Sequence, residues 1–286
     1  MRYFICAAFS SALLLLLLLP LGGMAQQRAD PAQQAIGADG CRIASGIRIC
    51  RYDFAFNSRN VESISFQPPG DGPFPGVLLI PGYQRTARDL VPLGTQLAAA
   101  GFAGVAISQP GFGGSEGPAD YVGPHTIAAL KAGYEKLRKE RWVDSRHMAI
   151  YGYSRGAIAA SLLVLDLPDV KAAVFGAGAY DFQRLYDDEM LPGVRENMKA
   201  ETGMTQTAIR ERSSILRMDQ LKCPVLILHG DADRNVPVSQ AILLRDRLTA
   251  LHKEFEIKIF PGREHSIGPE VGTLTLDFFR RKLLAK

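Results

Sequence analysis

Two periodicities run through this chain. Ile47 to Phe56 and Asn60 to Gln67 alternate apolar and polar residues singly, which predicts two antiparallel strands. Val77 to Ile80, Gly104 to Ser108, Met148 to Tyr151, Val170 to Phe175, Val225 to Leu228 and Phe255 to Phe260 are short apolar runs bounded by turn residues. Runs of that kind suit strands buried on both faces of a sheet. Helical spacing fills the gaps between them. Asp89 to Ala100 predicts one helix, and Ile127, Leu130, Tyr134 and Leu137 form a stripe after Pro124. An Ala-rich run follows Gly156, and Ala241, Leu244, Leu248 and Leu251 form another stripe. A last helix runs through Leu274 and Phe278 to Arg280, Arg281 and Lys282, cations that suit a helix C-terminus. Strands alternating with helices predict an α/β fold, a mainly parallel sheet covered on both faces.

Two stretches break this rhythm. Residues 26–40 are poor in large apolar side chains and read as a flexible leader. Residues 178–222 carry Tyr180, Phe182, Tyr186, Met190, Leu191, Met204, Ile215 and Met218 among many charges. That insertion reads either as a small helical cap over a site or as peripheral packing. Residues 41–286 are then one catalytic-size domain.

At the N-terminus Arg2 precedes an apolar run with seven consecutive leucines, Leu13 to Leu19, then Pro20 and Gly23-Met24-Ala25. A basic start, an apolar centre and small residues at the end describe a secretory signal peptide over residues 1–25. The rival is an uncleaved anchor over Tyr3 to Met24. Export to a periplasmic or extracellular space is the expectation. At 286 residues, 47% hydrophobic and 22% charged, the chain is long enough for one large core. Loss of Arg2 with the signal lowers the formal charge from +4 to +3. With no basic cluster interleaved with aromatics, nucleic-acid binding has no support, and no stable membrane partner is expected after cleavage. Cys41 and Cys50 flank a short segment and suit a disulfide in an oxidising compartment, while Cys223 reads as a buried free thiol. No C-x-x-C or H-E-x-x-H motif points to a metal.

The candidate chemistry centres on Gly152-Tyr153-Ser154-Arg155-Gly156, between an apolar strand and a helix-forming run. A sharp strand-turn-helix exposes its central serine only if the residues two before and two after lack bulk. Gly113-Gly114-Ser115-Glu116-Gly117 matches the same pattern without flanking strand or helix, and reads as a loop. Serine is a weak nucleophile, so it needs a base, and the base needs an orienting acid. Asp231 and Asp233 both follow the Val225 strand; Asp233, three residues before Val236-Pro237, is preferred, and Asp231 is read as loop-capping. His265 lies in the loop directly after the last strand, whereas His125, His147, His229 and His252 are placed less well. The order Ser154, Asp233, His265 is that of α/β-hydrolases. An oxyanion needs two donors, read as the backbone N–H groups of Arg155 and Tyr83.

These residues, with Trp142-Val143-Asp144 before the elbow strand and His229-Gly230 before the acid loop, carry a resemblance. The chain resembles the α/β-hydrolases, nearest to dienelactone-hydrolase-like enzymes and to the catalytic domains of prolyl-oligopeptidase-type peptidases, over roughly residues 75–284. Pro81-Gly82-Tyr83 departs from the His-Gly-Gly oxyanion motif of many lipases. The resemblance implies a serine hydrolase with no cofactor. The expectation is hydrolysis of small carboxylic esters, with a peptidase on short peptides as the first alternative and a silent binding protein as the second. Arg85, Arg88 and Arg155 raise a weak hypothesis of a substrate that carries a carboxylate, against the favoured reading that they are simply solvated at the surface.

Overall fold

The computed structural model describes residues 40–188 and 191–284. The expected signal peptide over residues 1–25 and nearly all of the expected leader lie outside them, as does Met190 of the insertion. The first strands are β1 (Cys41–Ala44), β2 (Ile47–Arg51), β3 (Phe54–Phe56), β4 (Arg59–Val61) and β5 (Ser63–Gln67). They differ from the two long strands that single alternation predicts. At Tyr52-Asp53 one backbone bond remains, from the Tyr52 N–H to the Ser63 carbonyl at 2.8 Å, and side chains take the other groups: Asp53 Oδ1 accepts from the Ser63 N–H at 2.8 Å, and Ser63 Oγ donates to the Tyr52 carbonyl at 2.7 Å. Asn57 and Ser58, with φ of 50° and 61°, turn β3 back on β4 as a separate hairpin. The strand β1 lacks a clear alternation of its own and is held by pairing with β2, where Cys41 faces Cys50 and the two form a disulfide.

The remaining strands follow the apolar runs: β6 (Phe74–Ile80), β7 (Ala103–Ile107), β8 (Val143–Tyr153), β9 (Val170–Gly176), β10 (Val225–Gly230) and β11 (Phe255–Phe260). The nine-stranded sheet has the order β1-β2-β5-β7-β6-β8-β9-β10-β11. From β7 to β11 all neighbours are parallel, and β1, β2 and β5 add an antiparallel edge. Helices α1 (Val91–Ala99), α2 (Pro124–Arg138), α3 (Arg155–Asp166), α4 (Phe182–Asp187), α5 (Pro192–Thr202), α6 (Gln206–Arg212), α7 (Ser239–Ala250) and α8 (Glu270–Phe279) cover it.

Alternation on β6 shows why both faces are apolar. Leu78 and Ile80 point into a core with Leu130 and Tyr134 of α2, Leu163 of α3 and Leu244 of α7. Val77 and Leu79 point the other way, toward Leu97 of α1 and Leu276 and Phe278 of α8. All four β6 side chains are fully buried, which accounts for an unbroken apolar run. Helix α1 starts later than the spacing predicts, because Ala87 to Leu90 form a 3-10 turn ahead of Pro92. The insertion folds as α4, α5, α6 and a 3-10 segment, Ser214–Gln220. Cys223 is a buried free thiol, and burial pushes it up to about 12.

Candidate active site

Strand β8 delivers the chain to Ser154 at the C-terminal edge of the sheet, and α3 begins at the next residue. Ser154 has φ 55° and ψ −123°, a backbone conformation that residues with a Cβ rarely adopt. The turn closes only because its flanks are glycine. A Cβ on Gly152 would lie 2.1 Å from the Gly156 carbonyl oxygen, and one on Gly156 would lie 2.2 Å from that of Ile80. The Ser154 N–H donates to the Gly176 carbonyl on β9 at 2.7 Å, which ties the turn to the sheet.

Two neighbouring strand ends supply the partners. His265, after β11, has Nε2 2.8 Å from Ser154 Oγ and Nδ1 2.7 Å from Asp233 Oδ2, after β10. The carboxylate can only accept from the ring, so Nδ1 carries the proton and Nε2 is free to accept from the serine hydroxyl. Asp233 Oδ1 accepts from the N–H groups of Asn235 at 2.8 Å and Val236 at 2.9 Å. Burial by itself would raise the Asp233 carboxyl, but hydrogen bonds from His229 and His265, the His265 charge and the Val236 N–H outweigh it. The group is held well below the usual carboxylate range. Asp231 instead accepts the Gly262 N–H at 2.7 Å and joins the acid loop to the loop after β11.

Ser115 sits elsewhere. It is buried, donates to the Ser108 carbonyl at 2.7 Å and accepts from the Glu62 N–H at 2.9 Å, as a loop serine does. Gly82 packs directly on the elbow, where an added Cβ would lie 3.2 Å from Ser154 Cβ. This brings the Tyr83 end of the β6 loop beside Ser154. The buried Gln109 side chain donates to the Pro81 carbonyl at 2.7 Å and holds that loop in place. The Tyr83 ring packs edge-on against Phe112, with centroids 5.5 Å apart.

Five further residues support the site without having been assigned a role from the sequence. Tyr153 Oη donates to the His265 carbonyl at 2.5 Å and accepts from the Ile267 N–H at 3.2 Å, while burial pushes the phenol up to about 12. Gly176 makes room for that ring, since a Cβ there would lie 2.5 Å from Tyr153 Cδ2. His229 is fully buried behind Asp233, with Nε2 3.4 Å from Oδ2. Glu201 on α5 pairs with Arg155, and Gln109 is the loop holder. Two of them stood in quoted motifs, Tyr153 in the elbow and His229 in the His229-Gly230 pair ahead of the acid loop; the others had no signal.

The three arginines singled out in the sequence are all paired. Arg155 pairs with Glu201 at 2.9 Å, Arg85 with Asp89 at 3.2 Å and Arg88 with Glu62 at 3.5 Å. Each guanidinium already has a carboxylate, so the three do not form a cationic patch awaiting one. Ser154 and His265 open onto a cleft of about 380 Å³, walled by Tyr83, Tyr121, Ile158 and, from the insertion, Leu185, Val194 and Asn197. Among the described residues no cluster of three or more His, Cys, Asp or Glu side chains is placed to hold a metal ion.

The prolyl oligopeptidase family matches residues 120–284. A Bacillus subtilis (strain 168) protein described as the uncharacterized peptidase YtmA is 26% identical over 230 residues, spanning 78% of this chain and 88% of the relative. A Mycobacterium tuberculosis puromycin-hydrolyzing peptidase superposes with a TM-score of 0.73 at 21% identity, over 84% of this chain but only 40% of its own. Acetyl xylan esterase 1 from Thermoanaerobacterium sp. JW/SL YS485 superposes with a TM-score of 0.69 at 17% identity, over 83% of this chain and 84% of its own. The fold is that of the α/β-hydrolases.

Proposed function

From the premise that this chain belongs to the prolyl oligopeptidase family, we propose that it is a serine peptidase acting on short peptides. The observation that carries the reading is the continuous line from Ser154 Oγ through His265 to Asp233, at 2.8 and 2.7 Å, opening on the cleft. In this reading Ser154 Oγ attacks the scissile carbonyl while His265 Nε2 takes its proton. Asp233 keeps the ring in the tautomer that allows this and stabilises the imidazolium that forms. The backbone N–H groups of Arg155, at the start of α3, and of Tyr83 hold the oxyanion. His265 then returns the proton to the leaving amine, and water releases the acyl group by the same steps in reverse. No cofactor enters.

The expected preference for carboxylic esters gives way to peptides because the family and the YtmA likeness favour a peptidase. Ester hydrolysis remains a second reading, supported by the overlap with the acetyl xylan esterase along most of both chains. The same residues cleave either bond, and esters have the better leaving group. Export is part of the proposal. It rests on the signal-like residues 1–25 and is supported by the Cys41–Cys50 disulfide, a bond that persists in oxidising compartments.

The test is labelling with an uncharged fluorophosphonate, with the adduct located by mass spectrometry, followed by a panel of peptides and esters. An adduct on Ser154 that disappears in His265→Ala, with peptide turnover, is the expected result. Turnover of esters alone would replace the peptidase by an esterase. No adduct on the folded protein would leave a silent binding protein.

A further inference from the structure

Arg155 follows the candidate nucleophile, and its side chain, only 4% exposed, is part of the wall of the Ser154 cleft. The guanidinium donates from Nη1 to Glu201 Oε2 at 2.9 Å and from Nη2 to Oε1 at 3.0 Å. Rings cover it as well: Cζ lies 4.0 Å from the Tyr121 centroid, 4.3 Å from Tyr83 and 5.5 Å from Phe112. Glu201 Oε2 also accepts the Tyr121 N–H at 2.7 Å, so the acid is oriented from two sides. Glu201 belongs to α5, in the insertion, while Arg155 and Tyr121 belong to the part of the chain that carries the sheet.

A buried arginine left unpaired would draw any anion that reached it. Bound bidentately by Glu201, it offers a neutral ion pair under aromatic and aliphatic walls. A carboxylate brought against Arg155 finds both Nη atoms already bound to Glu201, so it gives up water without gaining a charged partner. Arg85 also lines the cleft, but its side chain is 69% exposed and paired with Asp89, so water screens what charge it offers there.

We propose that Glu201 is a specificity-determining residue, which makes the cleft select peptides whose side chain over Arg155 is uncharged and reject those with a carboxylate there. The proposal rests on the reading of the Ser154 cleft as the peptide site. Removal of the Glu201 charge converts the same wall into a carboxylate site without altering Ser154, His265 or Asp233.

The experiment uses the Ser154→Ala protein and N-acetyl tripeptide amides of Gln, in which Glu replaces Gln at one position at a time. These pairs match in size and differ in charge. Calorimetric titration is expected to show, at one position, the Gln form bound at least tenfold tighter than the Glu form. In Ser154→Ala/Glu201→Gln that ratio is expected to shift at least tenfold toward the Glu form. An unchanged ratio in the double variant, or a preference for Glu peptides before Glu201 is altered, would overturn the proposal. The second of these outcomes needs no change at Glu201, so it holds even if that variant fails to fold. Fluorophosphonate labelling of the unaltered protein runs alongside. Labelled Ser154 without Gln/Glu discrimination removes the role of Glu201 alone, and an unlabelled Ser154 removes the hydrolase reading beneath it.

Discussion

The Tyr153 hydroxyl donates to the carbonyl oxygen of His265 at 2.5 Å, so the residue before the candidate nucleophile holds the loop of the candidate base. The Tyr153 hydroxyl oxygen in turn accepts the Ile267 N–H at 3.2 Å, and the two bonds grip the loop on both sides of Ser266. Tyr153→Phe keeps the ring in the space beside Gly176 and removes both bonds. Leaving a half-buried carbonyl and N–H without these partners costs about 1–3 kcal/mol, toward the low end where water can reach them. The loop carries His265, so a small displacement lengthens the Ser154 bond. The expected outcome is a roughly 10- to 100-fold fall in kcat with little change in KM. Steady-state kinetics beside thermal unfolding check it; a lower Tm with unaltered kcat would reduce Tyr153 to packing.

Ser154 and Ser115 both stand in a G-x-S-x-G pattern, and the structure separates them. Ser154→Ala is expected to lower kcat by about 10⁴-fold or more. Ser115→Ala is expected to leave fluorophosphonate labelling of Ser154 intact. It removes a buried hydroxyl that joins Ser108 to Glu62 and should cost about 1–3 kcal/mol of stability. Urea unfolding and turnover of the two variants make the comparison. A large loss of labelling in Ser115→Ala would contradict the assignment.

The contrast between these serines shows what a sequence can carry. Flanking strand and helix were legible around Ser154 because elbow geometry demands glycines two residues away on either side. Asp233 and His265 were legible because each follows an apolar strand, and parallel strands end at one edge. The Tyr153 to His265 bond spans 112 residues and the Arg155 to Glu201 pair 46, and no local pattern marks either. The break of the first alternating stretch at Asp53 is of the same kind. Its cause is a side chain that takes the Ser63 N–H from across the turn, and the alternation of Phe54 to Phe56 continues as if nothing had happened.

Asp233 gives the acid side of the stability profile a sign. Its carboxyl is held below the usual carboxylate range in the folded chain and returns to about 3.9 when unfolded. A depressed acid stabilises fully above the unfolded value, and that contribution is lost as pH falls through the folded one. The difference in unfolding free energy between the unaltered protein and Asp233→Asn is therefore expected to stay level from about pH 8 to about pH 5 and to narrow below about pH 4. Chemical denaturation at a series of pH values measures it. A difference that widened toward acid would mean that burial, rather than the His265 and His229 bonds, governs the carboxyl. Asp231→Asn is expected to show a small effect at one exposed turn.

His229 lies behind this carboxylate, fully buried at the end of β10. Its Nε2 is 2.8 Å from the Val236 carbonyl oxygen, and a carbonyl only accepts, so Nε2 carries the proton. That bond spans the acid loop and holds Val236, whose own N–H donates to Asp233 Oδ1 at 2.9 Å. The chain of contacts runs from His229 through Val236 to Asp233 and on to His265. His229→Phe fills the space but frees the Val236 carbonyl, and it is expected to lower kcat roughly 10- to 100-fold, because the acid shifts relative to the base. His229→Gln retains an N–H donor of similar reach and should recover most of that loss. A residue needed only for packing would not separate Phe from Gln in this way, and KM should stay level in both. A kcat unchanged from that of the unaltered protein in both variants would make His229 a filler of the core, and a fall in the Gln variant as deep as in the Phe variant would place the requirement on the ring rather than on its proton.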